Sequence, residues 1–577
     1  MKLTDFVIDF FENKNIKQVF HISGGGCMHL TESLSNSKFD ILCPHHEQTA
    51  LMAAEGYTRM TNLPALTIVT TGPGGTNSLT GLLGLWLDSI PSIIISGQVP
   101  TNQLSKNTGC RQIGDQEFDI VQVVKPMTKY AKIILNKNDI KYELEKAFQI
   151  SISGRPGPVW LDIPLDIQGS QIEVKNLREY KITKSKIEVK TYSESIKKMI
   201  DNSEKPLFIV GNGVRLSNSF ELMNKLLELS KIPVVTGPHS GVDAVDNTYK
   251  YYSGRIGRLG QLSANKIVQD ADLLICIGSR LPVKMTGYNL EEFSPKSKKI
   301  YIDIDENEIN KHQFKIDLIA VCEIDKILKA LTRLNYNLKI NNWQTKILNL
   351  RLKQVYVYPK HINLLEYVSF YYFISRCPKH FNKTPIVTSN GTAHVITLQT
   401  YQINQNQRLF TNVGCASMGY GLPAAIGACK GNNNNPVICI EGDGSIMMNL
   451  QELETVKGNN LPIKIILINN QGYLSIKLTQ NSFFKGNEFA AGPKSGVTFP
   501  SFKKISNAFN IKYISVSNNN EVDSKLKKMM ELEGPCIMEL FTHPLEKHEP
   551  KVTPKGIDKN GKIIPGSLTD MTITETF

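Results

Sequence analysis

Val437-Ile438-Cys439-Ile440-Glu441-Gly442-Asp443-Gly444-Ser445 opens the stretch from which the fold is read, and Leu461-Pro462-Ile463-Lys464-Ile465-Ile466-Leu467-Ile468-Asn469-Asn470-Gln471-Gly472-Tyr473 closes it. Val437–Ile440 is a short apolar run that ends in Gly442-Asp443-Gly444, the pattern of a buried strand feeding a tight turn. Met447, Met448, Leu450, Leu453 and Val456 then recur at roughly helical spacing, which predicts one helix. Leu461-Pro462 ends that helix, and Ile463–Ile468 predicts a second strand. Strand, helix and strand of this length form a crossover between parallel strands. Such a unit carries Asp443 and Asn469-Asn470 to the carboxyl ends of its strands, where open parallel sheets take ligands.

The residue types at that edge narrow the ligand. The Asp443 carboxylate, the Asn470 amide oxygen and a backbone carbonyl at Gly472 suit a hard cation that keeps water and phosphate oxygens as its other ligands, which points to Mg²⁺. The amides after Gly444, at a helix start, suit a phosphate. A glycine-rich turn alone occurs in any crossover of this kind. The full arrangement of strand, Gly442-Asp443-Gly444-Ser445, helix, strand and Asn469-Asn470 resembles the thiamine diphosphate motif of the acetolactate synthase and pyruvate oxidase family. The resemblance implies contact of Gly442, Gly444, Ser445, Tyr473 and Leu474 with the cofactor.

Composition bounds the rest. At 577 residues the chain is too long for one core, so three or four domains are expected. Hydrophobic content of 41% and charged content of 21% are those of ordinary globular material. The formal net charge of +13 comes without an Arg/Lys tract interleaved with aromatics, which argues against nucleic acid and leaves solvated lysines or anionic small substrates as its meaning. Ten scattered cysteines with no Cys-x-x-Cys pair argue against a zinc site and for a reduced, cytoplasmic compartment. The amino terminus lacks a signal pattern, and the most apolar stretch, Leu79–Ile95, contains Asp88 and Pro91, so no membrane span is expected.

One organisation recurs. Ala65–Thr70, Gly72-Pro73-Gly74-Gly75, a helical segment, Ile90-Pro91 and Ser92–Ser96 form one copy. Leu207–Val210, Gly211-Asn212-Gly213, a helix, Ile232-Pro233 and Val234-Val235 form another, and Val437–Asn470 is the third. The expected fold class is therefore α/β, with three doubly wound parallel-sheet domains, which matches the plan of the thiamine enzymes. Boundaries are placed at 1–172 for a pyrimidine-binding domain, 191–334 for a central domain, 355–548 for a diphosphate and Mg²⁺-binding domain, and 549–577 for a tail. A Lys/Glu-rich linker at Glu173–Lys190 and a connector including Asn335–Gln354 separate them.

In the first domain His45-His46-Glu47-Gln48 leads into an alanine-packed helix through Ala53-Ala54-Glu55-Gly56-Tyr57. An acid at a helix start is favoured by the dipole whatever its function. Here the segment resembles the His-Glu-Gln…Ala-Ala-Glu-Gly-Tyr motif of acetolactate synthases, which makes Glu47 the catalytic residue that activates the cofactor. The same resemblance places Thr71, Pro73, Gly74 and Asn77 beside the aminopyrimidine ring, Gly24 and Gly25 on a neighbouring loop, and Gln116 near the substrate. In the central domain of those synthases FAD is bound. Here Gly278-Ser279-Arg280-Leu281 stands in place of their Arg-Phe-Asp-Asp-Arg run, although Thr286-Gly287 persists, so FAD and a domain that only spaces its neighbours are both open readings.

In the third domain Gly391, Thr392 and Ala393 resemble the diphosphate loop, and Ser417 and Met418 the segment whose apolar side chain wedges between the cofactor rings. The synthases carry a Trp near Thr479 that favours 2-ketobutyrate as acceptor, and it is missing here. The resemblance implies decarboxylation of a 2-keto acid, pyruvate, with carboligation to a second carbonyl compound. Transfer of the two-carbon unit to a keto-sugar nucleotide in polysaccharide biosynthesis is one alternative. A catalytically inert cofactor-binding subunit is the alternative of another class. The family plan also implies a homodimer or homotetramer, with Glu47 and Asp443 of different subunits on one cofactor. The tail beyond His548 is basic and Pro/Gly-rich and is either a cover for the site or a disordered extension.

Overall fold

The computed structural model describes every residue except 182–188, 238–240, 485, 561–562 and 576–577. The centre of the expected Glu173–Lys190 linker therefore lies outside the described residues. Three six-stranded sheets, each parallel throughout, carry the chain. The first contains β1 (Gln18–His21), β2 (Asp40–Leu42), β3 (Ala65–Val69), β4 (Ser92–Gln98), β5 (Tyr130–Ile133) and β6 (Pro158–Pro164). The second contains β7 (Pro206–Val210), β8 (Val234–Thr236), β9 (Tyr252–Arg255), β10 (Leu273–Ile277), β11 (Lys298–Asp303) and β12 (Leu318–Val321). The third contains β13 (Ile386–Thr388), β14 (Leu409–Phe410), β15 (Val437–Gly442), β16 (Ile463–Asn469), β17 (Lys512–Val516) and β18 (Cys536–Phe541).

The first and third sheets share one topology: β2-β1-β3-β4-β6-β5 and β14-β13-β15-β16-β18-β17 are the same order. The second runs β12-β11-β10-β7-β8-β9, the doubly wound order of dinucleotide-binding sheets, with its switch point between β7 and β10. In all three recurrent units the flanking strands are direct parallel neighbours: β3 with β4, β7 with β8, and β15 with β16. The central strands are buried on both faces, which is why they read as unbroken apolar runs rather than alternating ones.

Two expectations are corrected. The helix read through Met447–Val456 is two pieces, Asp443–Ile446 and Glu452–Gly458. Between them Met447 and Met448 are exposed at 38% and 48%, while Leu453 and Val456 are buried. The break has a polar cause: Asn449 turns its side chain out of the helix path and donates to the Gly419 carbonyl at 2.8 Å. The segment read as a connector, Asn335–Gln354, includes the helix Asn341–Leu352. Its Trp343 and Ile347 are buried in the core of the second sheet, and the Trp343 indole donates to the Pro206 carbonyl at 3.0 Å.

Four helices position the site: α1 (Glu47–Thr61), α2 (Pro73–Asn77), α3 (Leu79–Leu87) and α4 (Gly421–Gly431). α1 and α4 join the first unit to the third, and their crossing has no room for side chains. A Cβ at Gly56 would lie 2.0 Å from the Ala424 carbonyl oxygen, and one at Gly427 would lie 1.7 Å from that of Ala53. The tail docks on the second unit. Leu568 is buried in its core and accepts from Asn265 Nδ2 at 2.8 Å, while the Val552 amide donates to the Arg258 carbonyl at 2.9 Å.

Two predictions follow from this packing. Gly427→Ala drives a methyl into a backbone carbonyl that cannot rotate away, so the loss of stability should reach or exceed the upper end of the ~1–3 kcal/mol typical of overpacking, read as a lowered thermal midpoint; an unchanged midpoint would mean that the crossing is looser than drawn. The second concerns pH. Burial raises the carboxyls of Asp162 and Glu546 to about 7, against hydrogen bonds from Ser96 and Gln98 and from Ser369 and Phe370. A raised folded-state pKa means that the native protein holds the proton more tightly, so this stability is present at low pH and is lost as pH rises towards neutral. This contribution is lost as pH rises from about 4 to about 7, so across that range the denaturation midpoint of Asp162→Asn should gain relative to that of the parent.

Candidate active site

The first half of the site lies at the carboxyl ends of β1, β3 and β4. Gly24 and Gly26 close against β3: added Cβ atoms would meet Thr70 at 2.5 Å and the Thr71 hydroxyl at 1.9 Å. Gly25 faces open space, so a ligand can approach its backbone. The Thr71 hydroxyl donates to the Gly97 carbonyl at 3.0 Å and ties β3 to β4. Gly72 takes the left-handed conformation, φ +61°, with the Gln116 carbonyl 2.6 Å from where a Cβ would sit. Pro73 then starts α2, and Asn77 ends it.

Glu47 is the first residue of α1, half-buried, with His46 capping the helix by accepting from the Gln48 amide at 3.1 Å. Asn77 Nδ2 donates to Glu47 Oε2 at 3.0 Å. The structure thus brings Glu47 and Asn77 into contact, places Thr71, Pro73 and Gly74 on the same turn, and sets Gln116 behind Gly72 with its side chain exposed.

The second half lies at the carboxyl ends of β13, β15 and β16. Asp443 is 2% exposed, and its carboxylate accepts from the amides of Gly444 at 2.7 Å, Asn470 at 3.1 Å and Gly472 at 3.1 Å. Burial pushes its pKa up to about 6, against the pull of those amides. Asn470 is equally buried, and its Oδ1 has no hydrogen-bond partner. An unsatisfied buried amide oxygen beside a carboxylate fits a divalent cation. The Gly472 carbonyl accepts from the Leu474 amide at 3.0 Å and keeps a second lone pair. The Asp443 carboxylate, the Asn470 amide oxygen and the Gly472 carbonyl form a mixed oxygen set that could hold Mg²⁺.

Around it, Gly442 borders open space, and Gly444 lies where a Cβ would strike the Tyr473 ring at 2.3 Å. The Ser445 hydroxyl pairs with Ser389 Oγ at 2.7 Å and accepts from the Gly419 amide at 2.8 Å, fixing the turn that presents Ser417 and Met418. Asn390 Nδ2 donates to the Ser417 carbonyl. Gly391 is left-handed at φ +61°, the Thr392 hydroxyl bonds to His548 Nε2 at 3.1 Å, and Ala393 and Leu474 are buried.

The first and third units meet along the chain's own interior. The His45 amide donates to the Glu452 carboxylate at 3.2 Å, and His45 Nδ1 lies 2.9 Å from the Thr455 hydroxyl. Deeper in, Glu55 of the Ala-Ala-Glu-Gly-Tyr run, to which no role was given, forms a buried group with Arg59, Asp88, Asn412 and Tyr420. The signal for it was a charge, Asp88, in the most apolar run of the sequence. A cavity of about 490 Å³ opens at the β7/β10 switch point, lined among others by Arg155, Gly213, Arg280, Asp303 and Phe410. Arg155 bridges the first and second units through Asp305 at 2.9 Å and Glu308 at 2.7 Å.

Comparison with known proteins agrees with the three-sheet architecture. Residues 1–123 match the model of the thiamine pyrophosphate enzyme N-terminal TPP binding domain, 193–331 its central domain, and 389–540 its C-terminal TPP binding domain. The chain therefore belongs to the thiamine pyrophosphate enzymes, in an acetolactate synthase-like family. It is 32% identical to acetolactate synthase 2, chloroplastic, of Nicotiana tabacum over 96% of this chain and 84% of that one. It is 31% identical to the acetolactate synthase isozyme 1 large subunit of Escherichia coli (strain K12) over 95% of each, and 32% identical to the isozyme 2 large subunit over 96% and 98%. Among the described residues no helix is long and apolar enough to cross a membrane.

Asn470→Ala removes the unpartnered oxygen without touching Asp443. Thiamine diphosphate binding in the presence of Mg²⁺ should weaken by about tenfold or more in calorimetric titration; an affinity equal to that of the parent would take Asn470 out of the metal set.

Proposed function

We propose that this chain uses thiamine diphosphate and Mg²⁺ to decarboxylate a 2-keto acid, pyruvate, and to join the two-carbon unit to a second carbonyl compound. The observation that carries this reading is the Asp443–Asn470 turn, a buried carboxylate beside a buried amide oxygen with no partner, within the matched C-terminal TPP binding segment. Thiamine diphosphate, when bound, supplies the carbon nucleophile and the electron sink on which decarboxylation and carbon–carbon bond formation depend.

The protein's part is binding, orientation and proton control. Asp443, Asn470 and the Gly472 carbonyl would hold the cation, and the backbone at Gly391–Ala393 and at Gly444 would face the diphosphate. Ser445 sets the turn on which Met418 would support the bend of the cofactor. Glu47, held by Asn77, would share a proton with the ring nitrogen of the aminopyrimidine. Following the family plan, we assign Glu47 and Asp443 of one site to different copies in a homodimer or a dimer of dimers. The strand order of the second sheet and the cavity at its switch point support a nucleotide site there, FAD included.

A second acceptor class is kept in the test because of one position. Thr479, near which the synthases carry a Trp, is exposed, and its hydroxyl is spent on the Ser475 carbonyl at 2.9 Å. A bulky acceptor such as a keto-sugar nucleotide is therefore included in the test. Purified protein with Mg²⁺ and thiamine diphosphate should consume pyruvate; acetolactate as sole product assigns a keto-acid acceptor, and turnover that waits for a keto-sugar nucleotide assigns the other. Glu47→Gln should keep the cofactor bound and lower turnover by about 100-fold or more. Bound cofactor with no turnover of any 2-keto acid by the parent protein would sink the proposal.

A further inference from the structure

The buried group below the cofactor turn has a shape that its charges dictate. Glu55 is fully buried, and the side chains of Arg59 and Asp88 are 7% and 9% exposed. Arg59 donates to Glu55 Oε1 at 2.9 Å and to Asp88 Oδ2 at 2.6 Å. One guanidinium thus stands between two carboxylates, and their remaining oxygens need further donors, at Glu55 in a fully buried place. Those donors all come from one segment of the third unit, Asn412–Tyr420. Asn412 Nδ2 donates to Glu55 Oε2 at 3.0 Å, and the Tyr420 hydroxyl donates to Glu55 Oε1 at 3.1 Å. The amides of Val413 and Gly414 donate to the two oxygens of Asp88, each at 2.9 Å. Asn412 then folds the segment on itself, its Oδ1 accepting from the amides of Cys415 at 3.2 Å and Ala416 at 3.0 Å.

Close approach is built in at both ends. A Cβ at Gly84 would lie 2.3 Å from Asn412 Nδ2, and one at Gly414 would lie 2.7 Å from Asp88 Oδ1. Moving the segment away would leave one guanidinium to serve two carboxylates, a costly state where Glu55 is fully buried, so the position of the segment is set by these hydrogen bonds and not by apolar packing alone. The residues hung between these two anchors are Ser417 and Met418.

We infer that Glu55, Asp88 and Asn412 are positioning residues for the cofactor, holding the Ser417–Met418 turn from the first unit of the same chain. This rests on the reading above that the turn faces thiamine diphosphate. It goes beyond that reading by giving α1 a second duty: Glu47 at its start is assigned to chemistry, and Glu55, about 12 Å along the helix, to the shape of a cofactor turn.

The test is a pair of titrations on the full-length protein, freed of cofactor and supplied with Mg²⁺. One uses thiamine diphosphate, which needs the turn. The other uses inorganic diphosphate, which needs only the metal and phosphate half. Asn412→Ala and Asp88→Asn should each weaken thiamine diphosphate by about tenfold or more while shifting inorganic diphosphate by less than about twofold. Tyr420→Phe, which deletes one hydroxyl and keeps the ring, should move the first value in the same direction by a smaller factor and guards against variants that fail to fold. Equal losses for both ligands, with a lowered far-ultraviolet dichroism signal, would make the network merely structural and overturn the inference. Parent-like affinity for thiamine diphosphate in all three variants, with Met418→Ala weakened, would overturn it as well. If Met418→Ala also binds like the parent, the assignment of the turn to the cofactor is what fails, and the inference falls with it.

Discussion

The crossing of α1 and α4 fixes everything else. Backbone rests on backbone where Gly56 meets Ala424 and Gly427 meets Ala53, and no side chain separates the two helices. Contacts this short leave no freedom to slide or rotate, because any shift drives carbonyl oxygens into Cα atoms. The first and third sheets, which share one strand order, are therefore presented in a fixed relation, with their ligand-bearing edges set by the same pair of helices.

That rigidity explains how short polar side chains suffice at the site. Asp443 reaches three backbone amides because β15 and β16 are adjacent and in register, with Gly442 opposite Ile468. Ser445 and Asn390 fix a turn that belongs to a different strand crossing, and Asn77 fixes Glu47 from the neighbouring helix. None of these side chains is long. Each works over one hydrogen bond because the backbone has already done the positioning.

Much of this was legible in the sequence. Apolar runs ending in Gly-Asp-Gly, Gly-Pro-Gly-Gly and Gly-Asn-Gly marked the central strands and their turns, since strands covered on both faces leave no polar interruption. The Asp443–Asn470 pairing followed from the same logic. Glu47 and Met418 did not; they came from resemblance, because an acid at a helix start and a methionine in a turn are ambiguous by type. What remained hidden was long-range. Met447–Val456 has helical spacing, yet the helix breaks because Asn449 is claimed by Gly419, thirty residues away. Asn412 lies 357 residues from Glu55, and nothing local distinguishes it from a surface asparagine. The strand order of the second sheet is likewise a property of the assembled fold, not of any segment.

The docking of the tail has a consequence for biogenesis. Leu568 completes the core of the second unit, whose strands are made from residues 206–321. On the ribosome the first unit can close soon after β6 emerges, but the second keeps an open flank until Leu568, far beyond β12 in the chain, has been made. Its final consolidation therefore waits on a segment that returns to strands synthesised long before it.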